Sequence, residues 1–103
     1  MKISVIGAGS IGKRHLKTLS NLSSTENLDE IRSYDQNTDR AKEAIKEIDN
    51  VNIANSIEEA VNGVDLVFLC VPTSLHYKVW KTIKDLGDFN YFIESIKCLF
   101  KIA

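Results

Sequence analysis

The stretch M-K-I-S-V-I-G-A-G-S-I-G-K-R-H, residues 1–15, decides the fold of this 103-residue chain. Its β-branched apolar run at residues 3–6 is typical of a buried strand. Gly7, Gly9 and Gly12 follow in the spacing G-x-G-x-x-G, and apolar residues then recur at helical spacing. A strand, a glycine turn and a helix in this order are the context in which the motif indicates a phosphate-binding turn.

Each glycine of the turn has its own predicted role. Gly7 allows a sharp turn off the strand, Gly9 leaves room for a pyrophosphate, and Gly12 lets the helix pack closely on the strand. The free N–H groups and positive dipole end of the helix then point at the phosphates. The alternative is a glycine-rich turn that binds nothing. The candidate cofactor-binding residues of this turn are Gly7, Ala8, Gly9, Ser10, Ile11 and Gly12.

Length and composition predict one globular domain outside the membrane. Hydrophobic residues make up 44% of the chain and charged residues 26%, and the net charge of −1 offers no basic face for nucleic acid. Cys70 and Cys98 form no disulfide framework and have no metal-ligand spacing, and Cys70 is expected to be a buried, inert thiol. The glycines interrupt the apolar start, so we expect no signal peptide, no membrane span and a cytoplasmic location.

The rest of the chain alternates strands and helices. Strands are predicted at residues 31–34, 51–54, 64–71 and 90–93, and helices at residues 10–22, 39–48, 56–63 and 74–86. Ser56 and Glu59 have the spacing of a helix-capping box. The apolar residues of the last helix, Leu75, Val79, Ile83 and Leu86, are expected to pack into the core. The alternation indicates an α/β fold, a doubly wound parallel sheet of about five strands in a single three-layer domain. The glycine turn favours the Rossmann order 3-2-1-4-5 over a flavodoxin-like order.

Asp35 is the second informative residue. It follows the second predicted strand, 23 positions after Gly12, where the dinucleotide fingerprint places a carboxylate that binds the adenosine ribose hydroxyls. Because a carboxylate there repels the 2′-phosphate of NADP, Asp35 favours NAD. The alternative is a turn-forming Asp, which is compatible with the first role. Arg40 lies close by and is a candidate phosphate contact, which leaves NADP open. The alternative, which we favour, is that Arg40 is a solvated helix residue.

The chain resembles the N-terminal half of the Gfo/Idh/MocA oxidoreductases, the glucose–fructose oxidoreductase and inositol dehydrogenase family. The resemblance covers residues 1–94 and rests on G-A-G-S-I-G-K-R-H at residues 7–15, Y-D at residues 34–35, V-D-L-V at residues 64–67, V-P-T-S-L-H at residues 71–76 and F-I-E at residues 92–94. It implies a cofactor cleft along the fourth strand's end. The residues assigned to it are Cys70, Val71, Pro72, Thr73, His76 and Glu94.

The chain departs from the family after the fifth predicted strand. The family has Glu-Lys-Pro there, with a catalytic lysine, whereas Ser95 and Ile96 follow Glu94, and Lys97 comes too late for that role. Residues 95–103 match nothing in the family, and we interpret them as a divergent or prematurely ended tail. The family's C-terminal substrate and catalytic domain is absent from this sequence.

Two functions remain open on this basis. The resemblance implies hydride transfer between a nicotinamide cofactor and a sugar, inositol or related metabolite, and we expect this chain to bind NAD without catalysing the transfer. The alternative is a non-catalytic nucleotide-sensing or self-associating module. A homodimer through a sheet edge is predicted from the apolar residues near the C-terminal strand, Phe89, Tyr91, Phe92, Leu99, Phe100 and Ile102. We expect His15 to be a packing residue and His76 to line the cofactor pocket rather than to catalyse.

Overall fold

A computed structural model describes residues 1–23 and 27–86, and the backbone of residues 91–94. Strands and helices alternate along the whole described chain. The strands are β1 (Lys2–Ile6), β2 (Glu30–Tyr34), β3 (Val51–Ile53), β4 (Leu66–Leu69) and β5 (Tyr91–Glu94), and the helices are α1 (Ser10–Leu22), α2 (Thr38–Ala44), α3 (Ile57–Val61) and α4 (Thr73–Leu86).

The five strands form one parallel sheet in the order β3-β2-β1-β4-β5. In the central register, Ile3 of β1 lies opposite Ile31 of β2 on one side and Leu66 of β4 on the other. The Rossmann order predicted from the glycine turn is therefore confirmed, and the flavodoxin-like alternative is wrong. The strand order switches sides between β1 and β4, and this switch point opens a crevice at the carboxyl ends of the two parallel strands.

Helices cover both faces of the sheet and make it a three-layer domain. One core joins β1 and β2 to α1 and α2, and the other joins β1 and β4 to α3 and α4. The first contains Ile3, Val5, Leu16, Leu19, Ile31, Ala41 and Ala44, and the second contains Ile6, Ala60, Val61, Val67, Leu69 and Ile83. Strands buried on both faces explain the nearly continuous apolar runs of the sequence.

Several predicted boundaries differ from the structure. The second helix ends at Ala44 and not at Ile48, because the chain must reverse direction to reach β3, with Asn50 in the left-handed region at φ 65°. The fourth strand is shorter than residues 64–71, although the backbone amides of Asp65 and Cys70 still donate to β1 carbonyls at 2.8 and 2.7 Å. The predicted cap of α3 is confirmed, since the Ser56 hydroxyl accepts from the Glu59 amide at 3.0 Å.

The apolar pattern of α4 overestimates its burial. Leu75 and Leu86 were expected in the core but are 37% and 39% exposed, while His76 is only 7% exposed. The predictions for Phe89 and for residues 95–103, including Cys98, lie outside the described residues, as do those for the side chains of residues 91–94. Within the described part of the chain, none of the helices combines the length and apolar character of a membrane span.

Candidate functional site

A cavity of about 490 Å³ opens at the carboxyl ends of β1, β2 and β4. This volume lies in the range of small-molecule sites. Three segments surround it: the glycine turn (residues 7–12), the segment after β2 and the β4–α4 turn (residues 70–72). The lining residues are Ile6, Gly7, Gly9, Ser10, Ile11, Tyr34, Asp35, Gln36, Arg40, Ile57, Cys70, Val71, Pro72, Thr73, Leu75 and Val79.

Gly7 and Gly12 hold the glycine turn against its surroundings. Gly7 has φ +102°, and a Cβ on it would lie 2.8 Å from the Cys70 carbonyl carbon and oxygen. A Cβ on Gly12 would overlap the Gly7 carbonyl oxygen. Both positions therefore require glycine. Gly7 needs it for its positive φ, and both Gly7 and Gly12 need it because backbone atoms approach closely. Gly12 does not itself line the cavity.

Of the three glycines in the turn, Gly9 faces open space. Nothing lies within 4 Å of a Cβ built on it, and it lines the cavity. It is also the N-cap of α1, without a side-chain cap, and its carbonyl accepts from the Lys13 amide at 2.9 Å. The first free N–H groups of a thirteen-residue helix thus lie at a place where no side chain intervenes. This arrangement suits an anionic group such as a pyrophosphate.

The Asp35 carboxylate is buried at the edge of the cavity, with its side chain 6% exposed. One oxygen accepts from the Ala8 amide at 2.8 Å, and the other accepts from the Asn37 amide at the same distance. The second bond is the turn-forming interaction that was the alternative for Asp35. Because each carboxylate oxygen has two lone pairs, both oxygens keep capacity for a further donor.

Arg40 stands at the outer rim of the same corner. Its guanidinium is 3.8 Å from an Asp35 oxygen, and its side chain is 56% exposed. Arg40 lies in the first turn of α2, whose N-cap, Asn37, accepts from the Arg40 amide at 3.2 Å. The structure therefore brings one buried carboxylate and one solvated cation to the cavity together.

The β4–α4 turn forms the opposite side of the cavity. Val71, Pro72 and Thr73 line it, as does Cys70, whose side chain is partly buried. His76 lies behind this turn and does not line the cavity, contrary to expectation. Its Nε2 is 2.7 Å from the Val71 carbonyl oxygen, and because a carbonyl only accepts, Nε2–H is the donor.

The other residues singled out in the sequence are Ala8, Glu94 and His15. Ala8 is buried within the glycine turn, 4% exposed, and does not line the cavity. Glu94 ends β5, where its Cα is the partner of Leu69 in β4, and its side chain lies outside the described residues. His15 packs against Phe68 with ring centroids 5.0 Å apart. Burial, and secondarily the charge of Arg14, lowers the pKa of His15, as expected for a packing residue.

Sequence reasoning missed an apolar part of the cavity lining. Ile57 of α3 and Leu75 and Val79 of α4 lie there together with Tyr34 and Gln36. The helical spacing of Leu75 and Val79 marks an inward side of α4 but does not distinguish a packed core from a cavity wall. The available signal was their position in the first turns of a helix that begins at the carboxyl edge of the sheet.

Comparison with known proteins agrees with this geometry. The family profile GFO_IDH_MocA, described as an oxidoreductase family with an NAD-binding Rossmann fold, matches residues 1–95. Comparison with curated protein sequences gives no significant match.

Several solved structures share the fold. The UDP-N-acetylglucosamine 3-dehydrogenase of Acidithiobacillus ferrooxidans is 26% identical, with a TM-score of 0.74 over 92% of this chain and 29% of its own. A 6-phospho-beta glucosidase of Thermotoga maritima, solved with NAD and glucose-6-phosphate, is 16% identical, with a TM-score of 0.69 over 93% of this chain and 34% of its own.

GenD2 from gentamicin A biosynthesis, solved with NAD, is also 16% identical, with a TM-score of 0.69 over 92% of this chain and 26% of its own. The chain therefore spans between about a quarter and a third of the length of these structures. The glycine turn, the strand order and the profile match lead to one conclusion: this chain belongs to the Gfo/Idh/MocA oxidoreductase family, and residues 1–95 match its NAD-binding Rossmann domain.

Proposed function

We propose that the cavity binds NAD with its pyrophosphate on the glycine turn. The observation that carries this proposal is Gly9, which presents an open backbone to the cavity at the N-terminus of α1. A side chain at this position would fill the space in which the phosphates approach the helix N–H groups. NAD itself would supply a nicotinamide that accepts or donates a hydride.

We propose that Asp35 binds the adenosine ribose and favours NAD over NADP. Its two oxygens lie at the cavity with spare acceptor capacity. A 2′-phosphate beside this carboxylate would meet like charge, which the exposed Arg40 offsets only in part because solvent screens it. The expected result is tighter binding of NAD than of NADP.

Calorimetric titration of the 103-residue chain with NAD and with NADP tests both proposals. We expect saturable binding of NAD, weaker binding of NADP, and loss of both in Gly9→Arg, whose side chain enters the cavity. Gly9→Ala is the matched control for folding, because its added methyl group meets no protein atom within 4 Å. Since this methyl group enters the space proposed for the pyrophosphate, Gly9→Ala should keep the fold and weaken binding less than Gly9→Arg. Absence of binding by the unaltered chain would contradict the proposal for the cavity.

We propose that residues 1–94 form the cofactor-holding part of an oxidoreductase that acts on a sugar, inositol or related hydroxyl-bearing metabolite. The family profile and the likeness to a UDP-N-acetylglucosamine 3-dehydrogenase support this substrate class. Since Ser95 and Ile96 stand where the family has its catalytic lysine and proline, this chain is expected to bind cofactor without turnover. Formation of reduced nicotinamide with any polyol or sugar, followed by absorbance, would contradict that expectation.

A non-catalytic binding module is the second candidate function, and the position of β5 favours self-association. Within the described strands β5 is an edge of the sheet, and an edge strand exposes unpaired backbone groups to another chain. We propose a homodimer through this edge, in the cytoplasm. Light scattering over a concentration series tests the dimer, and a monomer at high concentration would contradict it. Cell fractionation tests the location.

A further inference from the structure

The end of β2 holds the glycine turn at two successive amides. The Gly7 amide donates to the Tyr34 carbonyl at 2.7 Å, and the Ala8 amide donates to the Asp35 carboxylate at 2.8 Å. The second bond is buried and has an ionised acceptor, which makes it stronger than a neutral hydrogen bond. The conformation of the turn is therefore linked to the Asp35 side chain.

Ala8 connects the Asp35 side chain to the part of the glycine turn that faces the cavity. It stands between Gly7, which is in the left-handed region, and Gly9, which faces the cavity. Ala8 is 4% exposed, so water cannot easily replace the carboxylate as partner of its amide. Without that acceptor the Gly7–Ala8 peptide would lose its fixed orientation, and a buried N–H group would be left unpaired.

The other carboxylate oxygen fixes Asp35 itself. It accepts from the Asn37 amide at 2.8 Å, and Asn37 is in turn the N-cap of α2. The carboxylate thus bridges the glycine turn and the start of α2, with one backbone N–H group on each oxygen. Because both partners belong to the protein, the Asp35 carboxylate can hold the glycine turn before any ligand binds.

We propose that Asp35 is a positioning residue that holds the glycine turn in its phosphate-binding conformation, in addition to binding ribose. This inference rests on the proposed NAD site for its ligand measurements only. A carboxylate that only recognised ribose would, when removed, weaken NAD binding and relieve the repulsion of NADP. A carboxylate that also positions the turn must, when removed, weaken the binding of both dinucleotides.

Asp35→Ser and Asp35→Asn test this role, with Arg40→Gln as the matched control at the same rim. Exchange of the Ala8 amide in the cofactor-free protein, followed by NMR, is the first measurement. Titration with NAD and with NADP is the second. We expect Asp35→Ser to accelerate Ala8 exchange and to weaken both dinucleotides roughly tenfold or more, the size of one hydrogen bond to a charged group. Arg40→Gln should leave Ala8 exchange unchanged.

Asp35→Asn keeps the measurement meaningful if Asp35→Ser does not fold. Its amide has one acceptor oxygen where two N–H groups each require one, so an intermediate effect on exchange is expected. Unchanged Ala8 exchange, or a gain of NADP affinity in Asp35→Ser, would overturn the positioning role. If the unaltered protein binds no dinucleotide, the proposed function fails, and Ala8 exchange still decides whether Asp35 holds the turn.

Discussion

The glycine turn and the β4–α4 turn face each other across the cavity, yet they are held by opposite means. The glycine turn depends on missing side chains: Gly12 allows contact with the Gly7 carbonyl, and Gly7 has a conformation that other residues rarely adopt. The β4–α4 turn depends on a side chain that is present, since the buried His76 imidazole donates to the Val71 carbonyl at 2.7 Å.

This difference determines which kind of substitution destabilises each turn. Adding one carbon at Gly7 or Gly12 creates a backbone overlap that no rotamer change relieves. Removing the imidazole behind the β4–α4 turn leaves an acceptor without its donor but creates no overlap. The two turns also touch, because a Cβ on Gly7 would meet the Cys70 backbone. A disturbance of the first turn is therefore expected to spread to the second.

Gly12→Ala should have the largest effect on folding. Helix propensity alone predicts a gain of about 1 kcal/mol for replacing glycine in a helix, but the added Cβ would overlap the Gly7 carbonyl oxygen. Overpacking of this kind costs about 3 kcal/mol, so we expect a net loss of about 2 kcal/mol or more. Urea unfolding followed by circular dichroism measures it.

Gly9→Ala is the control for that experiment. Its Cβ meets nothing within 4 Å, and the change at an N-cap should cost no more than about 1 kcal/mol. Equal losses in Gly9→Ala and Gly12→Ala would show that close approach does not distinguish the two positions, and the account of the glycine turn would be wrong.

Much of the glycine turn could be predicted from the sequence because its constraints are local. The motif spacing assigns Gly7 to the bend, Gly9 to the open face and Gly12 to helix packing, and the structure shows each of these features. The strand order followed from the same motif. These features depend on backbone geometry within a few residues, which is what a sequence pattern encodes most directly.

The β4–α4 turn could not be predicted to the same depth. His76 was expected in the cavity, but which way a side chain near a helix start points depends on the tertiary surroundings. Leu75 was expected in the core for a related reason: its helical spacing marks an inward side, and inward at this edge of the sheet means toward the cavity. Asp35 combined the turn-forming and cavity-lining positions that sequence reasoning had left open.

His76→Leu should have the second largest effect. Leucine fills much of the buried volume but cannot donate to the Val71 carbonyl. Since this hydrogen bond is only part-buried, its loss should cost about 1 kcal/mol, the low end of the range for an unsatisfied acceptor. Because Val71 lines the cavity, NAD affinity should fall together with the free energy of unfolding. Calorimetry and urea unfolding of the same preparation measure the two quantities.

His76→Gln separates positioning from simple packing. Its amide nitrogen can donate to a carbonyl, so partial recovery of NAD affinity relative to His76→Leu is expected. Equal affinities for His76→Leu and His76→Gln would argue against the hydrogen bond as the cause.

Glu30→Gln should have the smallest effect on the free energy of unfolding. Glu30 is connected to the cavity only indirectly, through Arg32 and α3. Arg32 bonds both Glu30 oxygens at 2.9 and 3.0 Å and also donates at 2.7 Å to the Glu59 and Asn62 carbonyls near the end of α3, the helix that carries Ile57. The hydrogen bond from Arg32, and then that from Asn52, lowers the pKa of Glu30.

A lowered pKa in the folded state sets the sign of the pH dependence. The stabilisation by the Glu30 carboxylate is complete above its ordinary pKa of about 4.3 and is lost as the pH falls through the lower folded value. Solvent reaches this pair, so Glu30→Gln should cost under about 1 kcal/mol at neutral pH. Urea unfolding from neutral to acid pH should show this difference closing. A difference that stays constant across that range would mean that Glu30 acts through shape and not through its charge.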